Sequence, residues 1–173
     1  LFSQICNAVI CNLNLEDVNI SSGDDVGALA GLAYGNTRIY NCGVLSGSVS
    51  GTNNVGSLVG VLEGSARVIN CFSYADVSGG TNAAGIVGTC SGTPADKSTA
   101  FTQSGYLVMN CIYWGKATGS NVYPVYGGAN IDNVSGLNTY NYFLYRNDVT
   151  YTSVNSAAGV IDDSYFNRFD IYK

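Results

Sequence analysis

The chain has 173 residues and a formal net charge of −5, because 12 acidic residues outnumber seven basic ones. Charged residues make up only 11% of the chain, whereas glycines number 22 and prolines two, a composition typical of one β-rich domain with many turns. The acidic balance and the lack of a Lys/Arg cluster argue against a nucleic-acid partner. No apolar run approaches the ~20 residues of a membrane-spanning helix, so we expect no membrane span in this segment.

A six-residue pattern ending in glycine recurs along the chain. Its copies read V-G-A-L-A-G, V-G-S-L-V-G and A-A-G-I-V-G, and they end on Gly31, Gly60 and Gly88. Leu1-Phe2-Ser3 stands 28 residues before the corresponding part of the first copy. Self-similarity with a period of 28–29 residues predicts a repeat fold. Because the chain begins within a unit, we expect either an upstream coil in a longer chain or a first, partial coil formed by residues 1–11.

Two further landmarks keep the same period. The first is Asn before a small residue, and it occurs as Asn41-Cys42, Asn70-Cys71 and Asn110-Cys111, with Asn12-Leu13 upstream. The second is a β-branched residue before a Ser/Gly turn, at Ile20, Val49 and Val77. Three short apolar segments per unit, bounded by Gly, Asn or Ser, predict three strands per unit.

A unit of this size cannot bury its apolar positions alone, whereas stacked units can. The chain is therefore predicted to form an all-β, right-handed parallel β-helix with three strands per coil of about 28–29 residues. Like residues would form interior rows, with Gly31, Gly60 and Gly88 at corners or close approaches. The expected rows are Leu29/Leu58/Ile86, Leu13/Cys42/Cys71/Cys111 and Ile20/Val49/Val77. A β-sandwich is the second candidate, but it has no reason to repeat side chains in phase.

The repeat is interrupted once and then fades. The distance from the motif glycine to the Asn-Cys pair grows from Gly60–Asn70 to Gly88–Asn110, so 12 residues are inserted within 89–106. We expect these residues to form a surface loop that either carries specific contacts or is simply tolerated. Residues 1–128 are therefore predicted to form the repeats. Residues 129–173, rich in tyrosine, are predicted to form irregular final coils and a C-terminal cap of the same domain.

The motif V-G-x-L-V-G, a glycine four residues later and V/I-x-N-C together resemble the GLUG repeat of bacterial surface and adhesin-like proteins. Asn110-Cys111-Ile112-Tyr113-Trp114-Gly115 is similar to the segment that often closes such arrays. The resemblance covers roughly residues 1–127 and departs from the family at Ser57, Ala84 and the insertion. It implies a repetitive β-helical stalk or binding module outside the cell, at the cell surface, and supplies no known ligand.

The chain has no histidine, which excludes Ser-His-Asp and Cys-His nucleophile systems and histidine-based zinc sites. Cys42, Cys71 and Cys111 share one inward position, so we expect free thiols that act as small hydrophobes rather than disulfides or metal ligands. Asn41, Asn70 and Asn110 are expected to form a structural ladder of side-chain amides. No cofactor or metal is predicted.

Paired carboxylates are the one enzymatic signal, because several polysaccharide lyases and hydrolases are β-helices with acidic residues on one face. The doublets are Asp24-Asp25 and Asp162-Asp163. Asn53-Asn54 and Thr81-Asn82 replace the first doublet in later units, as expected of a solvated turn. The second doublet has no matched base.

Recognition by a surface is the remaining hypothesis. Tyr113, Trp114, Tyr123 and Tyr126 are candidates for an aromatic strip that binds a glycan or a protein, and Asp96 and Lys97 are candidates in the inserted loop. The alternative for the aromatic residues is packing in the core and cap. We therefore predict a non-catalytic, extracellular, adhesin-like module that binds a host or self surface glycan or protein. A carbohydrate-active β-helix enzyme and a pure spacer are the alternatives.

Overall fold

Short parallel strands and the turns between them make up the structure. The computed structural model describes residues 1–92, 105–128, 140–152 and 158–161. In these ranges the strands are β1 (Phe2–Cys6), β2 (Val9–Cys11), β3 (Asn14–Leu15), β4 (Val18–Ser21), β5 (Asp24–Val26), β6 (Ala30–Tyr34), β7 (Arg38–Tyr40), β8 (Gly43–Val44), β9 (Gly47–Gly51), β10 (Asn53–Gly56), β11 (Val59–Glu63), β12 (Arg67–Ile69), β13 (Phe72–Ser73), β14 (Asp76–Ala84), β15 (Val87–Ser91), β16 (Leu107–Met109), β17 (Ile112–Tyr113), β18 (Ala117–Tyr123), β19 (Asn141–Leu144) and β20 (Ala158–Ile161). Nowhere in the described part of the chain is there a helix with the length and hydropathy needed to cross a membrane.

The strands form four parallel sheets, which each turn of the chain visits in the same order. Sheet 1 contains β1, β6, β11 and β15, and sheet 2 contains β2, β7, β12 and β16. Sheet 3 contains β3, β8, β13, β17, β19 and β20. Sheet 4 contains β4, β5, β9, β10, β14 and β18, and β14 pairs with both β9 and β10. The stack is a β-solenoid of about four turns, which confirms the predicted parallel β-helix.

The pairing register follows the sequence repeat. Arg38 pairs with Arg67, one period later, and Arg67 pairs with Leu107 across the insertion. Val59 likewise pairs with Ala30 on one side and Val87 on the other. The copies of the motif therefore stack directly on one another. The insertion changes the sequence offset between paired residues without shifting the side chains to the other face.

The number of strands per coil is larger than the three predicted. A full turn such as residues 30–56 contains five strand segments, β6 to β10. The break at the Asn-Cys landmark, between β7 and β8, accounts for one of the two extra segments, and the break at Thr52, between β9 and β10, accounts for the other. Asn41, Asn70 and Asn110 have φ angles of 53°, 54° and 53°, in the left-handed region, so each makes a corner between sheets 2 and 3 instead of the middle of a strand.

The interior is filled by rows of apolar side chains, one residue per turn. Leu29, Leu58, Ile86 and Val125 form one row and are all fully buried. The inward row of sheet 3 changes size along the axis, from Val44 and Ser73 to Tyr113 and Phe143. In the first turn Leu13 and Ile20 are only partly buried, because their rows are covered on one side.

The motif glycines are required by close backbone approach rather than by positive φ. A β-carbon at Gly60 would lie 2.4 Å from the carbonyl carbon of Asp25 and 2.5 Å from the backbone nitrogen of Val26. At Gly88 it would lie 2.4 Å from the carbonyl carbon of Asn54, and at Gly31 2.6 Å from the carbonyl oxygen of Asp25. Sheet 4 therefore packs directly against sheet 1 at each turn, where only glycine fits.

Side-chain amides stack along the corners. Asn41 Nδ2 donates to Asn12 Oδ1 at 3.3 Å, and Asn110 Nδ2 donates to Asn70 Oδ1 at 2.6 Å. These bonds join adjacent turns at positions where the left-handed backbone already favours Asn. Asn is thus favoured at this corner for two reasons: it tolerates the left-handed backbone, and its side-chain amide bonds to the adjacent turn.

A longer ladder runs along β5, β10, β14 and β18 of sheet 4. Asn54 Nδ2 donates to Asp25 Oδ1 at 2.8 Å, Asn82 Nδ2 to Asn54 Oδ1 at 3.0 Å, and Asn121 Nδ2 to Asn82 Oδ1 at 3.4 Å. Beside it, Asn53 Nδ2 donates to Asp24 Oδ1 at 2.8 Å. Each Asn in these ladders donates to the preceding turn, and both ladders end on carboxylates. Asn82 Nδ2 also donates to Thr89 Oγ1 of its own turn at 3.3 Å.

The close approach at the motif glycine predicts a large effect of one methyl group. In Gly60→Ala the β-carbon meets the backbone of Asp25 and Val26, which cannot rotate away, so we expect a loss of about 1–3 kcal/mol in the free energy of unfolding. Gly23→Ala is the matched control, since a β-carbon there meets nothing within 4 Å and should change stability by less than about 0.5 kcal/mol. Urea unfolding measures both; equal effects would contradict the close-approach explanation.

Two substitutions at Asn110 separate the contributions of its backbone and its amide. Asn110→Ala loses the bond to Asn70 and strains the left-handed conformation, so it should cost about 1–2 kcal/mol. Asn110→Gly loses the same bond but adopts the φ of 53° freely, so it should cost roughly half as much. Chemical denaturation of the two variants is the measurement. If glycine were as destabilising as alanine, the corner conformation would not be the reason for Asn here.

Candidate functional site

Aromatic rings are exposed on the outer side of sheet 3. Side chains alternate along its short strands, so Ser73 and Tyr113 point inward and their neighbours point outward. The Phe72 and Tyr74 rings meet edge to face with centroids 5.7 Å apart, and the Tyr74 ring lies 6.5 Å from Trp114 on the next turn. These rings are in the geometry that favours aromatic pairs.

Apolar side chains extend this surface along the axis toward the later turns. Ile112 is 40% exposed and pairs with Phe72, while Tyr142 is 38% exposed and pairs with Ile112. A β-carbon at Gly43 would lie 2.3 Å from Phe72 Cζ, so the Phe72 ring rests on the Gly43 backbone. We call this surface the aromatic face, and it consists of Phe72, Tyr74, Ile112, Trp114 and Tyr142.

A shallow polar groove of about 230 Å³ lies on the outer side of sheet 4. The chain reaches it directly from the aromatic face, because Asp76 follows Tyr74 and Lys116 follows Trp114 with one inward residue between them. Asp76 accepts a hydrogen bond from the Lys116 backbone nitrogen at 2.8 Å, which joins two turns at this corner. This groove, which we call the polar groove after its polar side chains, is lined by Ser48, Val49, Ser50, Asp76, Val77, Ser78, Lys116 and Thr118.

The charges beside the groove are paired with one another. Lys116 Nζ lies 2.7 Å from Asp148 Oδ2, and Arg146 Nε lies 3.4 Å from Asp148 Oδ1. The hydrogen bond from Lys116 is the largest of the effects that lower the pKa of the exposed Asp148 carboxyl. Asp148 therefore remains ionised near neutral pH and holds both cations.

The structure divides the predicted aromatic residues between surface and core. Trp114 lies on the aromatic face, and Tyr123 is half-buried with its ring against Gly127. The surface assignment of Tyr113 and Tyr126 is wrong, since these side chains are only 1% and 4% exposed. Tyr113 follows an outward residue and so points inward, and burial raises the pKa of both phenols.

The other predicted ligand contacts are not placed. Asp96 and Lys97 lie outside the described residues, as do positions 93–104 of the predicted loop 89–106. The C-terminal segment is described only at 140–152 and 158–161, where β19 and β20 continue sheet 3. The boundary at residue 128 and the cap therefore stay predictions.

Of the five residues of the aromatic face, only Trp114 was a candidate from the sequence, although a signal for Phe72 and Tyr74 exists. The inward cysteine fixes the alternation of side chains in each turn, so the second and fourth residues after each corner Asn point outward. After Asn70 these are Phe72 and Tyr74, and after Asn110 they are Ile112 and Trp114. Counting from the cysteine places both rings on the surface.

The first acidic doublet accepts hydrogen bonds within the asparagine ladders. Asp24 and Asp25 accept hydrogen bonds from Asn53 and Asn54, and Asp25 sits at a φ of 56°. Asp162-Asp163 lies outside the described residues. Within the described ranges, no group of three or more Cys, Asp or Glu side chains is arranged to hold a metal ion.

The predicted cysteine row is buried and its thiols are free. Cys42, Cys71 and Cys111 are at most 1% exposed, and each Sγ lies near carbonyl oxygens of its own and the preceding turn. The neighbouring Cys111 thiol is the largest of the effects that raise the pKa of Cys71 to about 12, and burial adds to it. The row acts as packing, with reactivity suppressed.

No family model, curated protein or solved structure matches this chain. Its own geometry therefore carries the functional argument.

The raised pKa of Cys71 predicts a loss of stability in alkali. An unfolded thiol ionises near pH ~8.5, whereas the folded thiol retains its proton up to about pH 12, so stability is complete below the first value and falls between the two. Between pH 8 and 10 this thiol should contribute a fall of about 1–2 kcal/mol. Urea unfolding at both pH values should show a smaller fall for Cys71→Ser, which cannot ionise; an unchanged pH slope would contradict the assignment.

Proposed function

We propose that this chain is a non-catalytic module that binds a glycan through the aromatic face. The observation that carries the proposal is the contact among Phe72, Tyr74 and Trp114, three rings from two successive turns that remain accessible to solvent. Contiguous exposed apolar surface on a folded domain marks an interaction site. The rings share one side of the solenoid, so one extended ligand can contact all of them.

Carbohydrate chemistry suits this surface. The faces of sugar rings carry C–H groups that pack against flat aromatic side chains, while the hydroxyls around the ring require polar partners at the edges. The aromatic face has such an edge, because sheet 4 presents the polar groove one corner away. Aromatic side chains also lose few rotatable bonds on binding, which lowers the entropic cost of association.

The scaffold supports this function by holding the rings in place before the ligand arrives. Tyr74 N donates to Val44 O at 2.9 Å and Trp114 N donates to Ser73 O at 2.8 Å, so the backbone that carries each ring is fixed to the preceding turn. Preorganised contacts keep more of their interaction energy as affinity. The repeated backbone pairing therefore sets the spacing of the rings before a ligand binds.

The resemblance to GLUG repeats extends the proposal to the setting of the molecule. We infer an adhesin-like role at the cell surface or outside the cell, where such repeats are found. In that setting the ligand is a host or self surface glycan.

Direct binding measurements test the proposal. At least one polysaccharide in a panel of immobilised neutral and acidic polysaccharides should retain the wild-type chain. For that polysaccharide both Tyr74→Ala and Trp114→Ala should lower affinity about tenfold or more, as expected for the loss of an aromatic contact of about 1.4 kcal/mol. Phe2→Ala is the matched control, because Phe2 is 45% exposed on sheet 1 and lies off the aromatic face. Thermal unfolding of each variant verifies that the fold is retained.

Three outcomes contradict the proposal. Retention that is unaffected by either ring variant would place the site elsewhere on the chain. A complete lack of retention would favour the spacer hypothesis. Release of soluble sugars from a polysaccharide would favour the carbohydrate-active enzyme.

A further inference from the structure

The polar groove begins where the aromatic face ends. Between Tyr74 and Asp76 stands only Ala75, which is fully buried and points into the core. The same step on the next turn leads from Trp114 to Lys116. A sugar packed on the Tyr74 and Trp114 rings therefore has the groove within reach of its hydroxyls.

Three polar side chains of the groove offer hydrogen-bond acceptors. The hydroxyl of Ser50 donates its proton to Ile20 O at 3.3 Å, and that of Thr118 donates to Val77 O at 3.3 Å, so both oxygens present lone pairs outward. Asp76 is exposed, and an ionised carboxylate only accepts. A ligand that fits this groove must bring donors, as the hydroxyls of a sugar do.

The groove is unsuited to an anion. Its cation, Lys116, is bound to Asp148 at 2.7 Å, and the nearby Arg146 shares the same carboxylate. An acidic sugar would face the Asp76 carboxylate and would find the charge of Lys116 already balanced by Asp148. The net charge of −5 adds to this repulsion.

We propose that the polar groove is the hydrogen-bonding subsite of the aromatic-face ligand, and that this ligand is a neutral, polyhydroxylated polysaccharide. The inference rests on the proposed function and adds the chemical class of the ligand. The rings hold the apolar face of one sugar, and Asp76, Ser50 and Thr118 accept hydrogen bonds from the hydroxyls of that sugar or its neighbour. Discrimination against acidic glycans follows from Asp76.

Asp76→Asn tests the subsite with little change in structure. The Asn Oδ1 can still accept the hydrogen bond from the Lys116 backbone, while an acceptor oxygen becomes an NH₂ donor. Affinity for neutral polysaccharides, probed with xylan, galactomannan and dextran by affinity electrophoresis, should fall about tenfold for the polysaccharide that wild type binds. Asp24→Asn is the matched control, because it removes the same charge from an exposed carboxylate that also accepts one hydrogen bond, and it should leave affinity unchanged.

Salt and an acidic probe complete the test. Binding of a neutral chain should be insensitive to NaCl between about 50 and 500 mM, since no ion pair forms with the ligand. Polygalacturonate should not bind to wild type. Unchanged affinity in Asp76→Asn would overturn the subsite.

Failure of this inference is distinguishable from failure of the proposed function. Salt-sensitive binding of polygalacturonate that strengthens in Asp76→Asn but weakens in Trp114→Ala would overturn the neutral ligand and leave the aromatic face as the site. Binding of either polysaccharide that is indifferent to Trp114→Ala would overturn both.

Discussion

The in-register parallel pairing of successive turns is the constraint on which the rest of the structure depends. Each residue pairs with its counterpart one period later, so a one-residue slip in any turn would move a whole row of apolar side chains out of the core. Register is therefore enforced repeatedly, by the amides at the corners and by the glycines between sheets 1 and 4. The ladder through Asp25, Asn54, Asn82 and Asn121 spans four turns and would be broken by any such slip.

The fold was predictable because several residue types recur with the same period. Leu58 and Ile86 mark an interior row, Gly60 a close approach and Asn70 a corner, all with one period. What the sequence left ambiguous was the local geometry at these marks. Glycine occurs both where φ is positive and where backbones pack closely, so the role of Gly60 could not be predicted. Asn before an apolar residue occurs both at strand ends and at corners, so the number of strands per coil could not be predicted either.

The candidate site was predicted less well, because the direction of each side chain along its strand and the packing around it were both misjudged. Trp114 was placed correctly, but composition alone cannot tell which of Tyr113 and Trp114 points inward. The error at Tyr126 has another cause, since it bridges to Val87 on sheet 1, where even the outward row is buried by sheet 4. Phe72 and Tyr74 were not predicted because they lie inside a regular repeat, whereas specific contacts were expected where the repeat fades.

The inward side chains repeat from turn to turn, so differences among the outward side chains are informative about function. The inward row at the Asn-Cys corner repeats cysteine three times, whereas the outward row beside it changes from Gly43 to Phe72, Ile112 and Tyr142. Stacking requires neither the exposed apolar area nor the contact between the Tyr74 and Trp114 rings. The solenoid would stack equally well with polar residues there, as it does on sheet 4. The scaffold thus acquires specificity within the repeat, through outward side chains that vary from turn to turn while the register stays fixed.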